Sequence, residues 1–251
     1  MLYRIVASVF AVVTVGLLLL GTRQPARRRR FTFAVAGAAL GLAIANALVS
    51  VEVLTTYAPD GSPQPNARYI GCFISFPTYG ILLGVLSGAR TKVTAAFVLA
   101  INAAAATALV NMHAPATYAQ VLFGLVFAFI LCSAYLLYGP MTRATSGVSG
   151  ERRLTYKKLR NVGMLVWAVV PILGLLSTQV GVLDQFSWLL LVSYMDLTLN
   201  ASFGLILYRS PDALDHVAGR RTPSTTDTDT TESTPIESVS TFDVSSQESG
   251  D

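Results

Sequence analysis

Charge is what this sequence has least of. Only 13% of its 251 residues are Asp, Glu, Lys or Arg, against about a quarter in a typical soluble domain. Lysine is scarcer still and occurs only at Lys92, Lys157 and Lys158. The two cysteines, Cys72 and Cys132, both fall in apolar stretches. Two cysteines so placed make no disulfide framework and read as buried free thiols. No metal-ligand spacing, phosphate-cradling glycine loop or hydrolase triad is present, and nothing nucleophilic accompanies the one acid placed deep in an apolar run. The expectation is therefore no catalytic residue, no metal and no enzyme.

What fills the sequence instead is hydrophobic, 53% of it, in runs long enough to cross a bilayer, which takes about 20 helical residues. Seven such runs follow one another: Leu2–Leu20, Phe31–Leu54, Arg68–Gly88, Val93–Met112, Tyr118–Tyr138, Arg160–Leu183, and a last one ending at Arg209. The first could serve as a signal peptide, but no small-residue cleavage site is evident, so it reads as a retained helix. The second is rich in Ala and Gly, which suits close helix packing in lipid. Pro77 and Pro171 lie inside their runs, where neighbouring helices satisfy the freed carbonyl. Asn46 and Asn102 read as polar glue between helices. TYAPDGSPQPN reads as a loop, Gly139-Pro140 as the end of the fifth helix, and Met141–Lys158 as a basic loop.

The chain is thus expected to be an all-α, multi-pass protein of the cell membrane, a seven-helix bundle with the bilayer as its principal partner. Arg and Lys concentrate after the first, third and fifth runs and after the last. The positive-inside rule then places the N-terminus outside and the C-terminus in the cytoplasm. That rule accounts for the basic loops without nucleic acid; they could also contact anionic lipid. Residues 1–212 form the membrane domain in this reading. Residues 213–251 form an acidic, Ser/Thr-rich tail, expected to be disordered because it buries too little apolar surface to offset ordering entropy.

One carboxylate sits in the last run, Asp196, with Asn200 one turn further along the same face. A lone carboxylate in lipid is unfavourable unless paired or protonated, and Arg68 is the expected partner. A side-chain link between Asp196 and Asn200 is open at this spacing. Trp167 either packs the core or walls a ligand. His113 reads as a solvated or interfacial residue.

Three stretches resemble the microbial rhodopsins of the bacteriorhodopsin type. They are Arg68-Tyr69 with Pro77; Leu159-Arg160-Asn161-Val162 with Trp167 and Pro171; and Asp196 with Phe203-Gly204-Leu205-Ile206-Leu207 and Arg209-Ser210. The resemblance covers about residues 1–212. It implies a seven-helix fold and, in ordinary members, retinal held by a seventh-helix lysine as a protonated Schiff base. Asn200 stands at that position, and an amide forms no imine. The proton-acceptor position falls on Gly71 and the donor position on Leu82, neither of which carries a proton. The retinal box keeps Trp167, Tyr69 and Pro171. It has Cys72 and Gly174 where the family has tryptophan, Val170 for a tyrosine, Phe76 for a threonine and Asn46 for the second-helix tyrosine. Arg68 and Asp196 match the counter-ion cluster.

The resemblance therefore implies an opsin-related protein with no covalent cofactor, which is not a light-driven pump and acts in a sensory, regulatory or chaperone-like role. The alternatives are a non-covalent retinal or carotenoid binder, with Trp167, Tyr69, Cys72, Phe76, Pro171 and Asn200 as pocket candidates, or a passive ion path along Arg68 and Asp196. A homo-oligomer and a membrane or cytoplasmic signalling partner, reached through loops or tail, are the further expectations.

Overall fold

The computed structural model describes residues 2–57, 63–178 and 180–219. Helix α1 spans Leu2–Thr22 and α2 Ala26–Ser50, with Pro25 capping the turn between them. A short antiparallel ribbon follows, β1 (Thr55–Tyr57) against β2 (Pro63–Pro65), with Thr56 opposite Gln64. Then come α3 (Ala67–Ser87), α4 (Thr91–His113), α5 (Ala116–Leu136), α6 (Gly150–Thr178), α7 (Gln185–Tyr208) and a short α8 (Pro211–Val217). Among the described residues, seven helices are long and apolar enough to cross a membrane. Pro77 and Pro171 sit within unbroken helices, as lipid-embedded bundles tolerate.

The sequence expectations differ from the structure at several joints. TYAPDGSPQPN contributes the ribbon rather than loop alone. Gly139-Pro140 does not end the fifth helix. The chain widens into a π turn over Leu137–Met141 and continues through Thr142–Ala144 to a 3-10 turn at Thr145–Gly147. Proline cannot donate to the preceding turn, and a π bulge is a common way to absorb that loss. The carbonyl of Leu137 accepts from both the Thr142 hydroxyl and the Tyr156 hydroxyl, each at 2.7 Å.

The basic loop expected over Met141–Lys158 is likewise mostly helix. α6 starts at Gly150, ten residues before the expected Arg160. Arg152 explains part of this: its Nε donates to the Leu86 carbonyl at 2.8 Å and its Nη2 to that of Val85. It thereby caps the end of α3, whose last carbonyls have no partner within their own helix. α3 itself ends at Gly88, in the left-handed region at φ 70°, where glycine carries no steric cost.

Packed structure also continues past residue 212. Ala213 and Leu214 of α8 are fully buried, and Arg28 of α2 holds Asp215 through two hydrogen bonds, the Nε one at 2.8 Å. The tail expectation for 220–251 lies outside the described residues.

The main core runs through the bundle and includes Tyr79, Leu83, Phe97, Tyr156, Trp167 and Phe203; a smaller one joins Val6 and Phe10 of α1 to Leu42 and Ala43 of α2. Large apolar side chains such as Val12, Leu99 and Leu131 point outward. Such an exterior is costly in water and suited to lipid. Among the described residues, Asn46 and Asn102 make no hydrogen bond to another helix. Each amide donates to the carbonyl four residues back in its own helix, Leu42 at 2.8 Å and Val98 at 2.7 Å. That acceptor is always within reach of a short polar side chain in a helix.

Candidate functional site

Five helices line a partly open cavity of about 110 Å³. α3 contributes Arg68, Tyr69, Cys72 and Phe76; α6 contributes Val166, Trp167, Val170 and Pro171; α7 contributes Trp188, Val192 and Asp196. Small and branched residues of α4 (Ala104, Ala105) and α5 (Val126, Ile130) complete the wall. The α3 set recurs at helical spacing from one face. Phe76 meets Trp167 edge-on, with centroids 6.1 Å apart and planes at 74°, and Phe97 backs the indole at 5.7 Å. These are ordinary separations for aromatic pairs.

Arg68 and Asp196 close one part of the wall. Nη2 of Arg68 lies 2.5 Å from Oδ2 of Asp196, with side chains 8% and 14% exposed. The guanidinium carbon stands 5.8 Å from the Trp188 ring centroid, within cation–π range. Each charge of the buried pair is thus compensated by the other, as a buried charge requires, and the indole of Trp188 adds to the guanidinium.

Asn200 is not part of this lining. Its Nδ2 donates to the backbone carbonyl of Asp196 at 2.8 Å, not to the carboxylate. Its Oδ1 accepts from the Tyr79 hydroxyl. Tyr79 packs at a tilt against Phe203, centroids 4.6 Å apart and planes at 51°, and Tyr79, Asn200 and Phe203 are all fully buried. A hydrogen bond from α3 to α7 therefore occupies the core beside the cavity. The other five pocket candidates (Trp167, Tyr69, Cys72, Phe76 and Pro171) do line it.

Tyr79 and Trp188 were missed by sequence reasoning. The signal for Tyr79 was its spacing: seven residues after Cys72 it returns to the same face of α3, and a buried phenol needs an acceptor. Trp188 is one of only two tryptophans in the chain; both line the cavity.

Gly71 lies against α2 rather than in the cavity wall. A Cβ there would come within 2.7 Å of Leu42 Cδ2 and 3.2 Å of Leu42 Cα, so the glycine lets α2 and α3 approach closely. Leu82 is buried in the apolar core. Outside the spans, Asp184 caps α7, accepting from the Ser187 backbone N–H at 2.7 Å. Hydrogen bonds from the Ser187 side chain and backbone hold its carboxyl below the ordinary range. His113, at the end of α4, lies 2.9 Å from Asn66 Oδ1, next to the ribbon.

The profile of the bacteriorhodopsin-like protein family matches residues 2–214 of this chain. The chain belongs to that family. Among curated relatives, this bacteriorhodopsin-like chain is 28% identical to cruxrhodopsin-1 of Haloarcula argentinensis over 190 residues, 71% of this chain and 73% of the relative. It is 29% identical to sensory rhodopsin-2 of Natronomonas pharaonis over 160 residues, 63% of each chain. Its fold matches that of the thermophilic rhodopsin from Rubrobacter xylanophilus with a TM-score of 0.78 at 23% identity, covering 87% of this chain and 99% of that one. It also matches the light-driven proton pump of Coccomyxa subellipsoidea, with a TM-score of 0.73 at 21% identity over 83% and 94% of the two chains. Family members are photoreceptors or ion pumps, and the family normally binds retinal. In this bacteriorhodopsin-like chain α7 contains no lysine. Lys92 is at the start of α4, and Lys157 and Lys158 lie in the first third of α6. None lines the cavity.

Proposed function

We propose that this protein works without a covalent retinal pigment, and that it acts as a sensory, regulatory or chaperone-like membrane component through conformation or contact with a partner. The observation that carries this reading is the buried Tyr79–Asn200 hydrogen bond. A phenol and an amide link α3 to α7 at the residue that resembles the family's Schiff-base position, with no amine within the site. The rest of the site supports it. Ligand pockets for drug-sized molecules run to about 300–1,000 Å³, and a cavity of about 110 Å³ falls well short of a polyene. The residues present therefore do not fit covalent retinal. Gly71 and Leu82 offer no group to relay a proton, which pumping requires.

The test is the visible spectrum of purified protein mixed with all-trans retinal, recorded before and after washing and extraction. No stable red-shifted band is the expected result; a band that resists extraction refutes the proposal. Asn200→Lys alone stays colourless in this reading, because Tyr79 and Phe76 still fill the space. A second reading, a non-covalent retinoid or carotenoid site, is favoured by the two indoles of the cavity wall and opposed by its volume. A washable near-ultraviolet band would select it. An ion path is disfavoured by the apolar core beyond Tyr79, since conduction needs a polar or hydrated route.

A further inference from the structure

The junction of α5 and α6 holds two cations that the bundle does not neutralise. The chain has no acidic residue between Ala116 and Gly147, and α6 has only Glu151. Glu151 precedes Arg160 by about 13 Å along the helix axis, more than the Debye length of about 8 Å. Among the described residues, neither Arg143 nor Arg160 pairs with a carboxylate. Arg160 is held in place. Its Nε and Nη2 both donate to Asn161 Oδ1, at 3.1 and 3.0 Å, and its Nη1 donates to Thr142 Oγ1 at 2.8 Å. The guanidinium carbon lies 4.1 Å from the Tyr138 ring centroid, and the Tyr138 hydroxyl donates to the same Asn161 oxygen at 3.3 Å. Three of the five guanidinium N–H groups are thereby occupied, and two remain. Arg143 reaches the same turn of the chain. A Cβ on Gly139 would stand 3.8 Å from its Nη2 and 3.8 Å from Tyr135 Cε2. Its guanidinium thus leans back along α5 toward the apolar run, the usual direction of a long helical side chain. Among the described residues it donates to no acceptor of the protein.

The depth of this turn decides what it meets. From Tyr118 to Tyr138 the helix runs about 30 Å, the thickness of the hydrocarbon core. Tyr135 and Tyr138 are 65% and 47% exposed, and outward tyrosines sit at the headgroup level. Two guanidiniums without counter-charges at that level present the donors that a phosphate diester accepts. Arg160 is already immobilised, so binding costs less side-chain ordering. We propose that Arg143 and Arg160 hold the phosphate of an anionic phospholipid, whose acyl chains run along the outer face of α5. The exposed Leu131, two turns before Tyr138 on that helix, continues the site toward the bilayer centre, which a soluble phosphate would not use. The positive-inside bias accounts for cations at this boundary. It does not account for a guanidinium fixed by three hydrogen bonds against an outward phenol.

Full-length protein, purified in detergent and stripped of lipid, is titrated with dioleoylphosphatidylglycerol, dioleoylphosphatidylcholine or inorganic phosphate. Bound lipid is counted by native mass spectrometry while the thermal midpoint is followed. The expected result is saturable binding of phosphatidylglycerol with a raised midpoint. Phosphatidylcholine, whose headgroup has no net charge, binds at least about five-fold more weakly, and phosphate alone at the same concentrations does nothing. Arg143→Gln lowers phosphatidylglycerol affinity by about ten-fold, the worth of a hydrogen bond to a charged group. Arg160→Lys keeps the charge, loses the forked donors and weakens binding by a similar factor. Circular dichroism verifies that this variant is folded; should it not fold, Arg143→Gln decides alone. Arg27→Gln removes the same charge from the exposed start of α2, which packs chiefly on α1 and α3, and leaves binding unchanged. Equal binding of the two lipids, no binding of either, unaltered affinity in Arg143→Gln, or an equal loss in Arg27→Gln overturns the proposal. Saturation by inorganic phosphate at the lipid's own concentrations overturns the assignment to lipid.

Discussion

Arg68→Leu tests the central ion pair. The two side chains are 8% and 14% exposed, with Nη2 and Oδ2 2.5 Å apart, so the weak value of a solvated surface pair does not apply. Removing one member of a buried pair costs about 3–5 kcal/mol, because the other charge is left uncompensated. Replacing both by apolar residues of similar size is often neutral or stabilising by about 1–4 kcal/mol. Arg68→Leu should therefore lower stability near neutral pH, and Arg68→Leu with Asp196→Leu should restore most of it. A change of about 1 kcal/mol moves the midpoint of a chain of this length by about 2–4 °C, so the single variant falls by about 6–20 °C. The assay is thermal unfolding of wild type, both singles and the double in one detergent, read by circular dichroism and by loss of monodisperse protein. A single variant as stable as wild type, or a double as unstable as the single, would show that Asp196 does not rely on Arg68.

Three further outcomes follow from the same geometry. Tyr79→Phe leaves Asn200 Oδ1 without its donor in a fully buried site; about 1 kcal/mol should be lost, read as a lower thermal midpoint in detergent. Gly71→Ala forces a Cβ toward Leu42 Cα at 3.2 Å, and overpacking of this kind costs about 1–3 kcal/mol; an unchanged melting midpoint would mean that α2 can shift freely. Asp184 has its carboxyl held below the ordinary 3.8 by Ser187, so its cap is present above that value and is lost as pH falls through the lower folded-state pKa. Protection of the Ser187 amide, corrected for intrinsic exchange, should decline only in that acid range, and Asp184→Ala should remove the dependence.

Much of the fold was legible because a bilayer leaves a coarse mark on sequence. Seven apolar runs, arginines between them and prolines tolerated inside them are consequences of lipid thickness and backbone satisfaction. Boundaries were less legible where side chains from elsewhere decide them. Pro140 looks like a helix end until Thr142 and Tyr156 reach the Leu137 carbonyl. Residues 150–159 look like a charged loop until Arg152 is seen capping α3.

By itself, the sequence determined that the chain is a multi-pass helical membrane protein and that α7 carries a carboxylate and no amine. Those are matters of composition and of which atoms exist. Only the tertiary structure decided that Asn200 answers to Tyr79 rather than to the Asp196 carboxylate, that Gly71 serves α2 rather than the cavity, and that Trp188 joins Arg68 in its wall. The physical reason is that a membrane helix is apolar toward lipid and toward its neighbours alike. Its periodicity therefore does not reveal which face turns inward. The rotation of each helix is set by close packing and by a few polar side chains that must find partners, and both are properties of the assembled bundle.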